Sequence, residues 1–348
     1  MNSDSHTAAR VRLVLVGCGK HASIILHPAL REIEEAEVVA CCDLDPERAR
    51  RAARGFGSVP HYTDLSQMLR TERADAAVVL SVPDVQPKLT VACLEAGLHV
   101  YSEKPLATTL SEAERIAETA KRTGKQVMVG FNKRFNPLYQ RAKAVAALQE
   151  FGGPSMLDAK FVGGHRPSTL DQLTVGAVHL FDLGRFFMGD VREVVSRKCE
   201  LRPGQVAFGV TLLFADGAVG VYNINSLSVW YTGGERVELV GNNNVIVVDN
   251  SRTFQWWKPA KASHRIGQTQ DMLEEPTPAE YLEPQSTHVS FREWQTYVLN
   301  GYYGSLSHFV KCVGSGEPVS PGIHDGIEAL RIALAVYEGA NTGQAVKL

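Results

Sequence analysis

Val11-Arg12-Leu13-Val14-Leu15-Val16-Gly17-Cys18-Gly19-Lys20-His21-Ala22 decides how this chain is read. Its first six residues, mostly apolar and branched, predict a buried strand, and the G-x-G-x-x-A that follows directly opens a helix. In such a turn the first glycine permits the tight bend and the second lets the backbone approach a pyrophosphate. Small Ala22 lets helix and strand pack closely. The anion then rests on a helix N-terminus. Glycine pairs also serve ordinary turns. The strand before and the helix after make Gly17, Cys18, Gly19, Lys20, His21 and Ala22 a candidate dinucleotide site.

Outward from this stretch, Val11 to Gly130 alternates short apolar runs with amphipathic segments, the pattern of a parallel sheet flanked by helices. Strands are expected at Val11 to Val16, Glu37 to Cys42, Ala76 to Ser81, His99 to Ser102 and Gln126 to Gly130. The second strand runs into Asp43, whose carboxylate can accept hydrogen bonds from the adenosine ribose hydroxyls of NAD and would repel a 2′-phosphate, so NAD is favoured over NADP. Asp43 or Asp45 can also cap the helix that begins at Pro46, with Asp45 the better cap. Arg48, Arg50, Arg51 and Arg54 read as a solvated helix face; they could recruit NADP, but Arg48 already lies inside that helix.

The pattern changes near Asn132 to Pro137. After a helix over Leu138 to Gln149, strands are expected at Met156 to Val162, Val191 to Leu201, Val206 to Phe214, Ala218 to Ile224, Val237 to Val240 and Val245 to Val248. Turn signals at Asp216-Gly217 and Gly241 to Asn244 join them as hairpins. The expected fold is an α/β Rossmann domain over residues 1–133, followed over 134–348 by an α+β domain with a large, predominantly antiparallel open sheet. One helix, about Val175 to Met188, interrupts the strands, and Lys258 to Ser290 reads as a long loop or lid. Helices return at Phe291 to Val313 and His324 to Glu338, and are expected to pack back on the first domain.

With 348 residues, two domains are the natural prior. The 36 basic and 38 acidic side chains leave no basic block to track a phosphate backbone, so nucleic acid is not an expected partner. Nothing is long and apolar enough to span a bilayer, and Met1 to Arg10 carries no leader pattern. Cys18, Cys41, Cys42, Cys93, Cys199 and Cys312 lack metal-type pairing, which suggests reduced thiols in a cytoplasmic protein and no metal site.

Glu103-Lys104-Pro105 closes the strand His99 to Ser102. In an open α/β sheet the ligand crevice lies outside the carboxyl ends of the strands, so a lysine there can touch both cofactor and substrate. Lys104 is the first catalytic candidate. Together with Gly17 to Ala22, Asp43, Ser81-Val82-Pro83, Gly97 to Pro105 and Gly130 to Phe135, this stretch resembles the glucose-fructose oxidoreductase and inositol dehydrogenase family (Gfo/Idh/MocA) over nearly the whole chain.

The resemblance implies that Lys104 hydrogen-bonds the reacting oxygen and that Glu103 helps hold the nicotinamide ribose. It also implies a frequent cis peptide before Pro105, and cofactor contacts from Ser81, Val82, Pro83 and Asn132. Its second marker is a histidine early in a helix of the C-terminal domain, here His179, which would exchange the hydroxyl proton. Asp182 lies three residues on, placed to orient the ring or bind a substrate hydroxyl. Two departures stand out. Val175 occupies the position, four before the histidine, where many members carry aspartate, and Pro87 stands where the family often has histidine. Asp171 is not promoted to the vacant role.

Arg134 and Arg166 are further substrate-binding candidates, with His165 beside them. Trp230, Tyr231, Trp256 and Trp257 could stack on a sugar face, but fit core or interface better. The open face of the expected sheet must be covered, and the resemblance implies that another subunit covers it, in a homodimer or homotetramer. The expected activity is NAD-dependent interconversion of a secondary alcohol and ketone on a sugar, cyclitol, aminoglycoside or other polyol. Two alternatives are an NAD-dependent glycoside hydrolase acting by transient oxidation and a non-catalytic NAD-binding regulator.

Overall fold

The computed structural model describes residues 10–228, 234–258, 279–282 and 295–348. Trp230, Tyr231 and most of the expected lid between Lys258 and Ser290 lie outside them. The chain divides into two compact units, Met1–Phe135 with Ser290–Leu330, and Asn136–Val289 with Arg331–Leu348.

The first unit is built on six parallel strands: β1 (Val11–Val16), β2 (Ala36–Cys42), β3 (His61–Tyr62), β4 (Ala76–Val79), β5 (His99–Ser102) and β6 (Val127–Val129). Their spatial order is β3-β2-β1-β4-β5-β6, a doubly wound Rossmann sheet. The order reverses between β1 and β4. That switch point puts the carboxyl ends of β1, β2, β4 and β5 around one crevice edge. The strands read as continuous apolar runs because helices cover both faces. β3 escaped the sequence reading because its two residues, half-exposed or exposed, carry no apolar run.

Local chemistry sets the helix ends. Asp45 accepts from the backbone N–H of Glu47 and Arg48 and caps Pro46–Arg54, with proline at the first position. Thr109 caps Leu110–Thr123, which Gly124 closes at φ +66°. The helix Tyr302–Ser315 supplies Leu306, Phe309 and Val310 to the core that holds Leu13, Leu15 and Tyr101. The Tyr101 and Phe309 rings meet edge-on at 5.8 Å.

The second unit carries nine strands: β7 (Met156–Val162), β8 (Val191–Arg202), β9 (Gln205–Phe214), β10 (Val219–Asn225), β11 (Glu235–Val240), β12 (Val245–Asp249), β13 (Thr253–Trp257), β14 (Glu280–Leu282) and β15 (Val346–Lys347). The order is β14-β13-β12-β11-β7-β10-β9-β8-β15, antiparallel except for the β7–β10 pair. Alternation is strict in β9, where Val206, Phe208, Val210, Leu212 and Phe214 point inward. Burying each such side chain contributes about 2 kcal/mol. Val195 and Val221 face the opposite side, more than a third exposed.

Two expectations need correction. The expected strands end at β12, whereas the sheet continues through β13 and β14 and adds β15 at its other edge; β13 has the right alternation, with Phe254 and Trp256 buried, but only its cross-strand partners reveal it. Trp256 is core, its indole N–H donating to Asn244 Oδ1 at 3.0 Å. The helix expected over Val175 to Met188 is two pieces, a π-helical segment Gln172–Ala177 and an α-helix Val178–Met188.

Candidate active site

At the end of β1 the chain turns through Gly17 at φ +91°, where a Cβ would stand 1.7 Å from the carbonyl oxygen of Leu80. Glycine is obligatory there. Above Gly19 the same construction meets nothing within 4 Å, which leaves room for a ligand to approach the backbone. Ala22 is buried at the start of a π-helical turn, Ala22–Leu26.

Asp43 is pinned beside this turn. One carboxylate oxygen accepts from the Cys18 N–H at 2.7 Å and the other from the Asp45 N–H at 2.9 Å. Each oxygen retains an acceptor site, so the carboxylate is oriented but not saturated. Asp45 does the helix capping, as its position before Pro46 led us to expect, and leaves Asp43 oriented beside the glycine turn.

Beyond β4, Leu80 leads into Ser81, Val82 and Pro83; Val82 is 62% exposed, an apolar side chain held out at the crevice edge. The Ser81 N–H donates to Gln86 Oε1 at 3.1 Å. The Gln86 amide, buried, donates in turn to the carbonyls of Glu103 and Pro105, the latter at 2.9 Å. Gln86 thus ties the end of β4 to the segment that carries Lys104. No motif singled it out, because a glutamine in a first helical turn has no distinctive spacing. The Lys104–Pro105 peptide is cis.

Glu103 is 1% exposed. Burial raises its pKa to about 7, against the opposing pull of the Lys104 ammonium. One oxygen accepts from the Lys104 N–H at 3.3 Å, and the other is buried with no partner. Gly130 makes room for it, since a Cβ there would stand 2.9 Å from that free oxygen. His21 lies near Lys104; lost hydration first, and the ammonium second, lower its imidazole pKa. Its ring meets Tyr302 edge-on at 5.5 Å.

Asn132 donates to the carbonyl of Asn300 at 2.6 Å, and its side-chain oxygen is a second buried acceptor without a partner. Arg134 is buried in an ion pair with Asp325 at 2.9 Å, and Asp325 also accepts from the Gly322 N–H at 2.9 Å.

The second unit presents His179 and Asp182, both buried, on the first turns of Val178–Met188. Arg166 follows β7, and its Nε is buried without a partner. The amide of Gln172 is likewise buried and unpartnered, and both groups border Gly176, each under 4 Å from a Cβ built there. Sequence reading missed Gln172. Asp171 is tied up locally, accepting from the Ser168 hydroxyl at 2.7 Å.

The orphaned oxygens of Glu103 and Asn132, the side-chain-free turn at Gly17 and the oriented Asp43 carboxylate fit a bound dinucleotide. Among the described residues no group of three or more His, Cys, Asp or Glu side chains is placed to hold a metal ion, and no helix is long and apolar enough to cross a membrane.

Comparison with known proteins gives matches along most of the chain. A family model for an oxidoreductase family with an NAD-binding Rossmann fold matches residues 11–131, and the model of its C-terminal alpha/beta domain matches residues 172–348. The chain is similar to the myo-inositol 2-dehydrogenase of Thermotoga maritima, at 27% identity over 97% of this chain and 98% of that protein. It is also similar to the D-apiose dehydrogenase of Paraburkholderia graminis, at 26% identity over 100% and 92%. Among solved structures, an oxidoreductase from Agrobacterium radiobacter in complex with NAD+, L-tartaric acid and magnesium matches with a TM-score of 0.82 at 19% identity, covering 97% of this chain and 98% of that one. That likeness speaks to the fold.

Proposed function

The chain belongs to the Gfo/Idh/MocA oxidoreductase family, and from that premise we propose that it is an NAD-dependent dehydrogenase interconverting a secondary alcohol and a ketone on a sugar, cyclitol or related glycoside. The inositol and apiose named for its relatives support that substrate class. When bound, the nicotinamide supplies the hydride acceptor or donor.

The remaining work falls to the chain. The turn from Gly17 to Ala22 takes the pyrophosphate, Asp43 accepts from the adenosine ribose hydroxyls, and Val82 between Ser81 and Pro83 covers the base. The orphaned oxygens of Glu103 and Asn132 accept from the nicotinamide end. Lys104 donates to the reacting oxygen and stabilises the alkoxide that develops as its proton leaves. His179 takes that proton as a neutral imidazole and returns it in the reverse direction. Asp182 orients the ring, Arg166 meets substrate hydroxyls, and Arg134, held by Asp325, keeps a positioning role.

The observation that carries this reading is the grouping on one sheet edge. Gly17, Asp43 and Lys104 stand at the carboxyl ends of β1, β2 and β5, with Asp43 and Glu103 fixed by backbone N–H groups. The exposed outer valines of β8 and β10 support assembly as a homodimer or homotetramer, which light scattering would read.

The test is to incubate the protein with NAD and a panel of sugars, cyclitols and aminoglycosides while following both nicotinamide reduction and product masses. Net NADH with an oxidised product is expected, and Lys104→Ala and His179→Ala should each lower kcat by roughly a hundredfold or more. Unchanged turnover in both variants would sink the site. Cleaved glycoside without net NADH would instead reveal the hydrolase. Val175, in place of the family's aspartate, favours one second reading, an NAD-binding regulator, which predicts NAD binding with no turnover across the panel.

A further inference from the structure

Gln172 is 0% exposed, yet neither the nitrogen nor the oxygen of its side-chain amide has a hydrogen-bond partner in the protein. Arg166 adds a third such group, since its Nε is buried and equally unpartnered. Buried polar atoms are almost always bonded, so three orphans together point to a group from outside the chain.

The two side chains converge within the second unit. A Cβ built on Gly176 would stand 3.6 Å from the Gln172 nitrogen and 3.7 Å from Arg166 Nε, so both donors lie over the same side-chain-free patch of helix. Gly163, just after β7, leaves the room that the amide takes up, because a Cβ there would overlap its nitrogen. The backbone at Arg166 is backed by Gly204 in the β8–β9 turn, where a Cβ would overlap the Arg166 carbonyl oxygen. His179 lies three residues beyond Gly176, one helical turn on.

Charge narrows the ligand. Arg166 is a permanent cation, and among the described residues it has no acidic side chain within ion-pair distance. Acids of the neighbouring segments are engaged elsewhere: Asp171 accepts from the Ser168 hydroxyl at 2.7 Å, and Glu200 accepts from Thr169 and, at 3.0 Å, from Lys198. A trapped water would answer the amide but leave the guanidinium without a counter-charge. One cation with two converging N–H donors matches a carboxylate, which can accept from both. The Gln172 oxygen, an acceptor, would repel that carboxylate and suits a hydroxyl beside it.

We propose that Arg166 and Gln172 recognise a carboxylate on the substrate, with a neighbouring hydroxyl donating to the Gln172 oxygen, so that the preferred substrates are sugar acids, either uronates or aldonates, rather than neutral sugars. The inference rests on the dehydrogenase reading and narrows its substrate class. Gln172 determines specificity here; hydride and proton transfer do not pass through it.

The test is calorimetric titration of the full chain, alone and with NADH, which cannot take up a further hydride. Matched ligands are compared: glucuronate and gluconate against glucose, and galacturonate against galactose. At least one acid should bind roughly tenfold or more tightly than its neutral counterpart, with a preference that shrinks as salt rises. Gln172→Met, similar in volume but without the amide, should reduce that ratio roughly tenfold, and Arg166→Gln should abolish it, with Arg166→Lys returning part of it. Gln172→Glu, which places a carboxylate beside Arg166, should bring the ratio to parity or below. A variant that merely loosens the fold would weaken both members of a pair and leave the ratio unmoved. If no acid binds more tightly than its neutral counterpart, or if either Gln172→Met or Arg166→Gln keeps the parent's ratio, the proposal is overturned. Acid-selective binding with no NADH formed from NAD would fail the dehydrogenase reading alone, whereas NADH formed from neutral sugars without any acid preference would fail this inference alone.

Discussion

Gln86 donates its side-chain N–H to the carbonyl oxygen of Pro105 at 2.9 Å, while its Oε1 accepts from the Ser81 N–H at 3.1 Å. One buried amide therefore joins the crossover after β4 to the backbone on both sides of Lys104. Gln86→Leu strands three backbone groups in a dry site, at a cost of about 1–3 kcal/mol for each group left unpaired. We expect lower stability in urea unfolding and a fall in kcat larger than any rise in KM. A variant with full kcat would show that Lys104 keeps its place without the clamp.

Gly17 tolerates no side chain, because a Cβ would overlap the Leu80 carbonyl at 1.7 Å and the backbone is left-handed. Gly17→Ala should cost about 3 kcal/mol or more and weaken NAD binding together with stability. Thermal unfolding with and without NAD separates the two effects. A melting temperature equal to that of the parent would contradict the close approach of β1 and β4.

Under the proposed function, Asp43 supplies the negative charge at the ribose position. Asp43→Asn removes the charge and one of two backbone hydrogen bonds, because an amide offers only one acceptor oxygen. Calorimetry should show NAD affinity falling about tenfold, the loss of roughly one charge-assisted hydrogen bond. Discrimination against NADP should relax at the same time. An unchanged NADP-to-NAD affinity ratio would remove Asp43 from cofactor selection.

Glu103 carries a pH signature. Its folded pKa, raised from 4.5 to about 7, means the folded chain holds a proton that the unfolded chain releases. Stability is therefore lost as pH rises through that window, by about 3 kcal/mol, and is flat above it. His27 acts with the opposite slope: burial, and then Arg31, lower its pKa to about 4, so its contribution is lost as pH falls below 6.5. The difference between the parent and Glu103→Gln isolates the first effect. Urea midpoints measured near pH 5 and near pH 8 should converge at the acid end and favour the variant at the alkaline end. A constant difference across that range would show that Glu103 is ionised in the folded chain.

Much of the architecture and part of the candidate site could be read from short stretches, because their causes are short-ranged. A strand followed by Gly17-Cys18-Gly19 dictates its own turn, Asp45 before Pro46 dictates its own cap, and alternation in Gln205–Phe214 dictates which face is buried. Lys104 was legible for the same reason, as the residue that ends an apolar strand. Gln86 and Gln172 were not. A buried amide is recognised by the carbonyls around it, and those come from residues distant in sequence.

The sequence by itself determined the parallel first sheet, the largely antiparallel second one, the glycine turn and the acid that ends β2, since each follows from periodicity or from a neighbour a few residues away. Tertiary structure alone decided where the return to the first unit stops, inside the helix Ile323–Thr342 between Leu330 and Arg331, with Leu306 and Phe309 in the first unit's core. It also decided that Arg134 is buried in an ion pair with Asp325. Burial and the pairing of charges depend on which segments meet in space, and no local pattern encodes that meeting.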